Sequence, residues 1–238
     1  SSIVNDIISE KQYMDDDNKL EIIFDIDAGV PSILRGDGRK IKKILKHLID
    51  NSIKFTKEGG IFVRVYALRK DYGVNLCIRV SDTGIGIAEE ELGKIKERFY
   101  QSNGGRNRKA GGLGLGLPIV YGLVNSMEGF IKIDSVVGKG TTVSVSIPQK
   151  VADKTPSMML NNPKDLCLAC FLKPEKYKVP EVRTYYDEVI SHMVYGLEFS
   201  LHRVSVMDEL EKLQSMYQLT HLFIGKEDAD FSFRAGCT

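Results

Sequence analysis

The stretch that most constrains the fold runs from Lys40 to Thr56, KIKKILKHLIDNSIKFT. Ile41, Ile44, Leu45, Leu48 and Ile49 recur at helical spacing. That pattern predicts an amphipathic helix with one face committed to a core. Asp37, between Gly36 and Gly38, is placed to cap it by accepting from the first free backbone N–H groups. The other face carries information of a different kind. His47, Asn51 and Lys54 fall at i, i+4 and i+7 and share one stripe, with Asp50 beside them. An imidazole, an amide and an ammonium in one row offer a metal-ligand carbonyl, hydrogen-bond donors and a positive charge. The same row also describes a solvated helix face.

Size and charge exclude several function classes. A chain of 238 residues with 42% hydrophobic content can build two cores. A formal net charge of +1 provides no field for nucleic acid or an acidic membrane surface. No apolar run approaches the roughly 20 residues of a membrane span, and the N-terminus lacks a secretory pattern. The 4 cysteines, Cys77, Cys167, Cys170 and Cys237, are too scattered for a disulfide framework, which fits a reducing cytoplasm. Because the chain starts at Ser1, we expect a fragment of a longer protein.

Residues 2–16 read as a short helix and 19–26 as a strand, followed by a loop over 28–38 rich in glycine with Pro31. After the long helix, Ile61–Leu68 and Val74–Val80 form a hairpin around Lys70 to Gly73. Then comes SDTGIGI, an acid at a strand end followed by alternating glycines, which let backbone approach a ligand. Residues 89–100 are helical in composition, and 101–110 are polar, basic and loop-like. GGLGLGL at 111–117 leads into a helix opened by Pro118, and Phe130–Val136 and Thr141–Ile147 form a second hairpin. This order predicts an α+β fold: a two-layer α/β sandwich, a mixed, mostly antiparallel sheet covered on one face by helices. Residues 150–163 read as a linker between domains 1–149 and 164–238. Strands at 165–172, 201–206 and 221–225 alternate with helices at 181–197 and 208–217, which predicts a small parallel sheet.

A glycine-rich loop entering a helix suits phosphate, because free N–H groups and the helix dipole both favour anions. The P-loop run is missing, and G-x-G-x-G after a polar loop is not the dinucleotide fingerprint. Four separated elements carry a more specific resemblance. HLIDNSIKFT resembles the asparagine box of sensor histidine kinases, DTGIGI their first glycine box, ERFYQ their phenylalanine box and GGLGLGL their second glycine box. GKGTTVSVSIP resembles their closing strand. The likeness covers residues 2–149. It implies a catalytic ATP-binding domain within the superfamily that also holds gyrase-type ATPases and heat-shock chaperones.

The resemblance implies roles for individual residues. Asp82 accepts from the adenine amino group with Thr141 nearby, Gly84 and Gly86 keep backbone low beside the base, and Ile87 and Leu115 line it. Phe55 packs against adenine. Asn51 binds Mg²⁺, Lys54 contacts phosphate, and Gly112, Leu113, Gly114 and Gly116 form the phosphate loop. Residues 101–110 form a lid, where Arg106, Arg108 or Lys109 can add charge. His47 stands where many histidine kinases carry asparagine, although chemotaxis-type kinases resemble this chain in having histidine there, and it is a catalytic candidate. Lys96 replaces an aromatic residue of the phenylalanine box. The implied reaction transfers the ATP γ-phosphoryl to a histidine on a dimerisation domain of the same full-length kinase, with a response regulator downstream and a homodimeric full-length protein. None of His47, His192, His202 and His221 lies in an acceptor-box sequence, so we expect ATP binding without self-phosphorylation by this chain.

Residues 164–238 resemble a truncated flavodoxin-like receiver, the regulatory domain of hybrid kinases. Lys173 and Pro174 stand where receivers carry an acidic pair, and Lys226 stands near the expected acceptor, with Glu227 and Asp228 one register away. That implies a receiver unable to accept phosphate. Cys167 and Cys170 point to opposite faces of a strand, so they read as core rather than metal ligands. A non-catalytic nucleotide-sensing scaffold is the alternative reading. A gyrase- or chaperone-like ATPase is a third, opposed by His47 where a glutamate would activate water.

Overall fold

The amphipathic pattern at Ile41 to Ile49 does form a helix, α1 (Gly38–Phe55), and its apolar stripe is buried. Asp37 caps it: Lys40 N–H donates to Asp37 Oδ1 over 3.1 Å. These features come from a computed structural model, which describes residues 20–101, 116–171 and 177–224. The helix predicted at 2–16 lies outside them.

Helix α1 lies on a 6-stranded sheet made of β1 (Leu20–Ile26), β2 (Pro31–Arg35), β3 (Gly59–Lys70), β4 (Gly73–Asp82), β5 (Phe130–Val136) and β6 (Gly140–Pro156). The path is β1-β3-β4-β6-β2, with β5 also on β6. Only β1 and β3 run parallel; β3–β4, β4–β6, β5–β6 and β2–β6 are antiparallel. Helices α2 (Glu89–Gln101) and α3 (Gly116–Asn125) complete the unit. Ile44, Leu48 and Ile49 of α1 meet Ile61, Val63, Ile78, Val80, Val143 and Val145 of the strands and Val120 and Val124 of α3 in one core.

Two expectations need correction. The loop over 28–38 contains β2, and residues 150–156, read as linker, continue β6 and pair with it: Leu34 opposes Val151 and Arg35 opposes Lys150. Alternation is hard to see in these segments because the ribbon is exposed and its register is interrupted by bulges. The second correction concerns the sheet's outer face, expected to be free of helices. At the β1–β3 edge it is covered.

The cover comes from the C-terminal unit. Strands β7 (Cys167–Phe171), β8 (Ser200–Val204) and β9 (His221–Ile224) form a parallel 3-stranded sheet in the order β8-β7-β9. Helix α4 (Pro180–Leu197) connects β7 to β8, and α5 (Met207–Met216) connects β8 to β9. Ala169, Phe171, Val204 and Leu210 form one core of this unit. Val182 of α4 packs with Ile23 and Phe62 of the first unit, and the Tyr185 ring stacks on Phe62 at 4.9 Å. Ala28 joins Leu168, Leu197 and Phe199. Polar contacts frame this apolar seam. Asp25 is only 3% exposed, with His192 Nδ1 at 2.6 Å from its Oδ2. Arg64 Nε lies 3.5 Å from the same oxygen, close enough to pair electrostatically though not aligned as a hydrogen bond. The Tyr186 hydroxyl donates to Glu21 over 2.8 Å. Among the described residues, no helix is long and apolar enough to cross a membrane.

Candidate functional site

The site is assembled where β4, β6, α1 and the start of α3 converge. Asp82 ends β4 opposite Thr141 of β6. Its Oδ1 accepts from the backbone N–H of Gly84 at 3.0 Å and of Thr141 at 3.2 Å. Its Oδ2 accepts from the Ser52 hydroxyl at 3.1 Å. Burial pushes its pKa above the ordinary carboxylate value, against these three hydrogen bonds, which pull it down. A carboxylate offers about four acceptor positions, so one remains for a ligand. Thr141 therefore acts here through its backbone, while its hydroxyl meets Ser135 Oγ at 2.9 Å.

The glycines after Asp82 are needed where they stand. A Cβ on Gly84 would fall 2.5 Å from the Phe55 carbonyl oxygen and 2.8 Å from Thr56 Oγ1. Gly86 has φ +70, and a Cβ there would meet the Val136 carbonyl at 2.2 Å. These contacts pin the loop against the end of α1 and the β5–β6 turn. Ile87 N–H donates to Ser135 Oγ over 2.8 Å, and Ile85 N–H to the Phe55 carbonyl over 3.2 Å.

Asn51 faces the start of α3. A Cβ on Gly116 would lie 2.5 Å from Asn51 Nδ2 and 2.8 Å from its Oδ1, so a side chain there would displace the Asn51 amide. This sets an amide beside a helix N-terminus, where unbonded N–H groups and the dipole favour an anion. His47, one turn earlier on α1, is half-buried, and its Nε2 is shielded from solvent without a hydrogen-bond partner among the described residues. Lys54 is exposed, its Nζ 5.2 Å from the Phe55 ring centre, and Phe55 is itself 38% exposed. The structure thus brings Asp82, Gly84, Gly86, Ile87, Thr141, Phe55, Asn51 and Gly116 around one locus. Gly112, Leu113, Gly114 and Leu115 lie outside the described residues, as do the lid candidates Arg106, Arg108 and Lys109 and the Lys96 side chain.

Three residues of the site escaped sequence reading: Ser52, Thr56 and Ser135. Ser52 is a buried hydroxyl three residues after the buried Ile49, and a small polar residue within an apolar stripe is the signal that could have found it. Thr56 is 4% exposed, and its Oγ1 has no partner among the described residues although it lies against Gly84. Ser135 offers no pattern of its own; only the fold brings it to Ile87.

Residues 36–151 match the family model described as histidine kinase-, DNA gyrase B-, and HSP90-like ATPase. Hybrid signal transduction histidine kinase B of Dictyostelium discoideum is 39% identical over 158 residues, 66% of this chain and 8% of that protein. Autoinducer 2 sensor kinase/phosphatase LuxQ of Vibrio cholerae serotype O1 is 37% identical over 146 residues, 60% of this chain and 17% of that protein. The chain thus spans a small part of these relatives' lengths. The crystal structure of full-length ShkA in complex with AMPPNP superposes with a TM-score of 0.67 over 99% of this chain and 51% of that one, at 18% identity. That likeness shows the fold.

Proposed function

We propose, from the match of residues 36–151 to the model of the histidine kinase-, DNA gyrase B- and HSP90-like ATPase family, that this chain is the ATP-binding catalytic module of a hybrid two-component sensor histidine kinase. It transfers the γ-phosphoryl of ATP to a histidine on the dimerisation domain of the full-length protein. The observation that carries the reading is Asp82. It is an acid held by three donors, with an acceptor position left over, at the head of a loop that only glycines can form. An adenine amino group is the donor that such a position recognises.

The remaining residues divide the work of phosphoryl transfer, which is largely positioning and charge neutralisation. Phe55 and Ile87 border the base. Asn51 and the α3 N-terminus receive the phosphates, with Lys54 adding charge and Gly112 to Gly116 forming the loop above them. The donor set fits Mg²⁺. Asn51 supplies a hard amide oxygen, and no cluster of His, Cys, Asp and Glu competes among the described residues. An ion bound mainly by phosphate and water with one protein oxygen is the usual Mg²⁺ arrangement. When bound, Mg²⁺ neutralises charge on the phosphates. His47, whose buried Nε2 has no hydrogen-bond partner among the described residues, hydrogen-bonds a phosphate oxygen or an ordered water in this reading.

The strand order β8-β7-β9 supports a receiver-like reading of the second unit, since it repeats the first three strands of a flavodoxin-like sheet. Lys173, Pro174 and Lys226 argue that it does not accept phosphate; acetyl-phosphate labelling of an aspartate would overturn that. The partners are the dimerisation domain, in a homodimeric full-length kinase, and a response regulator; the setting is the cytoplasm. The close seating of α4 on the sheet favours a second reading, a nucleotide-sensing scaffold. Labelled ATP, Mg²⁺ and a supplied dimerisation domain separate the two: the first reading expects phosphohistidine on the added domain and none on this chain alone, the second expects bound ATP without transfer.

A further inference from the structure

The two units meet at a point that also touches the nucleotide loop. Gly59 and Gly60 open β3 without side chains, and α4 lies directly on their backbone. A Cβ on Gly60 would fall 2.9 Å from Val182 Cγ2 and 3.6 Å from Tyr185 Cδ2; one on Gly59 would fall 3.3 Å from Val179 Cγ2. The same glycines hold Thr83. Thr83 N–H donates to the Gly60 carbonyl at 3.1 Å, and Gly60 N–H donates to Thr83 Oγ1 at 3.0 Å. Thr83 Oγ1 also donates to the Glu58 carbonyl at 3.5 Å. Thr83 sits between Asp82 and Gly84, the two residues that fix the proposed adenine position. Lys178 Nζ lies 3.8 Å from Glu58 Oε1, extending the contact along the same turn.

We propose that α4 is a positioning element of the nucleotide site. Val182 and Tyr185 press on Gly59 and Gly60, and these hold Thr83 so that Asp82 and Gly84 keep their geometry. The chain of contacts has three links: the Val182 and Tyr185 side chains on the glycine backbone, the hydrogen bonds between Gly60 and Thr83, and the backbone that joins Thr83 to Asp82 and Gly84. Burial, and after it the Asp82 charge, push the Tyr185 pKa up to about 12. The signal a receiver-like unit carries then has a route to nucleotide affinity through a contact already made. This proposal rests on the nucleotide reading above.

The test uses the full chain and ADP with Mg²⁺. Tyr185→Ala and Thr83→Val each raise the ADP Kd about 3- to 10-fold, the range expected of coupling through packed contacts. The loss is equal for adenosine, because it acts at the base. Tyr185→Phe, which keeps the stack on Phe62, restores wild-type affinity. The double variant loses less than the product of the two single effects, since both cut the same route. By reciprocity, ADP slows amide exchange in the first half of α4 in the wild-type chain and not in Thr83→Val. Thr83 lies outside the apolar clusters, so this arm stands even if Tyr185→Ala fails to fold. Affinities within twofold of wild type, full multiplicativity, or no exchange response in α4 overturn the coupling alone. A wild-type chain that binds no nucleotide brings down the underlying reading and the coupling with it.

Discussion

Replacing Asp82 by asparagine separates what this residue does for the ligand from what it does for the fold. The amide oxygen can take the place of Oδ1 and keep the Gly84 and Thr141 N–H bonds. The amide nitrogen then occupies the Oδ2 position, where Ser52 now donates; a hydroxyl can turn and accept instead. The fold therefore loses no hydrogen bond. The adenine amino group, however, meets a second donor in place of an acceptor. Loss of one such bond to a buried group costs about 1–3 kcal/mol, which is about a 5- to 150-fold rise in Kd. Stability moves the other way. Burial holds the folded-state pKa of Asp82 above its unfolded value. Above that folded pKa, ionisation of Asp82 weakens the native state relative to its protonated form. The contribution of this acid to stability is present below the unfolded pKa and is lost as pH rises through the folded one. Asp82→Asn removes that penalty, so its melting temperature at pH 7 equals or exceeds wild type, and the difference narrows toward pH 4. Calorimetric titration with ADP and melts at the two pH values measure both halves. An unchanged Kd in a folded variant, or a melting temperature well below wild type at pH 7, refutes the reasoning.

Three further outcomes follow from the same geometry. Gly86→Ala forces a side chain onto positive φ and against the Val136 carbonyl; it destabilises by more than about 1 kcal/mol and weakens nucleotide binding, read by denaturant melts and titration. His192→Ala removes a partner from buried Asp25 and destabilises by about 1–3 kcal/mol, measured by thermal melting, with Arg64 limiting the loss. Burial pushes the Cys170 thiol up to about 11, so iodoacetamide at pH 8 alkylates the half-buried Cys167 of the native chain well before Cys170, as peptide mapping will show.

The parts of the fold that could be read from sequence are those whose pattern is local. Helix α1 announces itself through its apolar spacing and Asp37, and the β3–β4 hairpin through its alternation and turn. Strand β2 and the end of β6 do not, because each is exposed, bulged and paired with a segment more than a hundred residues away. The seat of α4 left one trace. Ile61, Phe62 and Val63 are consecutive apolar residues buried on both faces of β3, and such a run signals a strand covered on both sides. At the candidate site, the acid and the glycines stood out because their chemistry is unusual for a strand end. Ser52, Thr56 and Ser135 did not, since a hydroxyl gains meaning only from the group it faces.

The central claim is that Asp82, its glycine loop and Asn51 at the α3 N-terminus form one adenine-nucleotide site. Titration of the chain with the non-hydrolysable ATP analogue AMPPNP, followed by amide chemical shifts, tests it most directly. The account predicts saturable one-to-one binding, tighter with Mg²⁺ than without, with the largest shifts at Gly84, Gly86, Thr141 and Gly116. No saturable binding at millimolar nucleotide, or shifts confined to residues away from this locus, would contradict it.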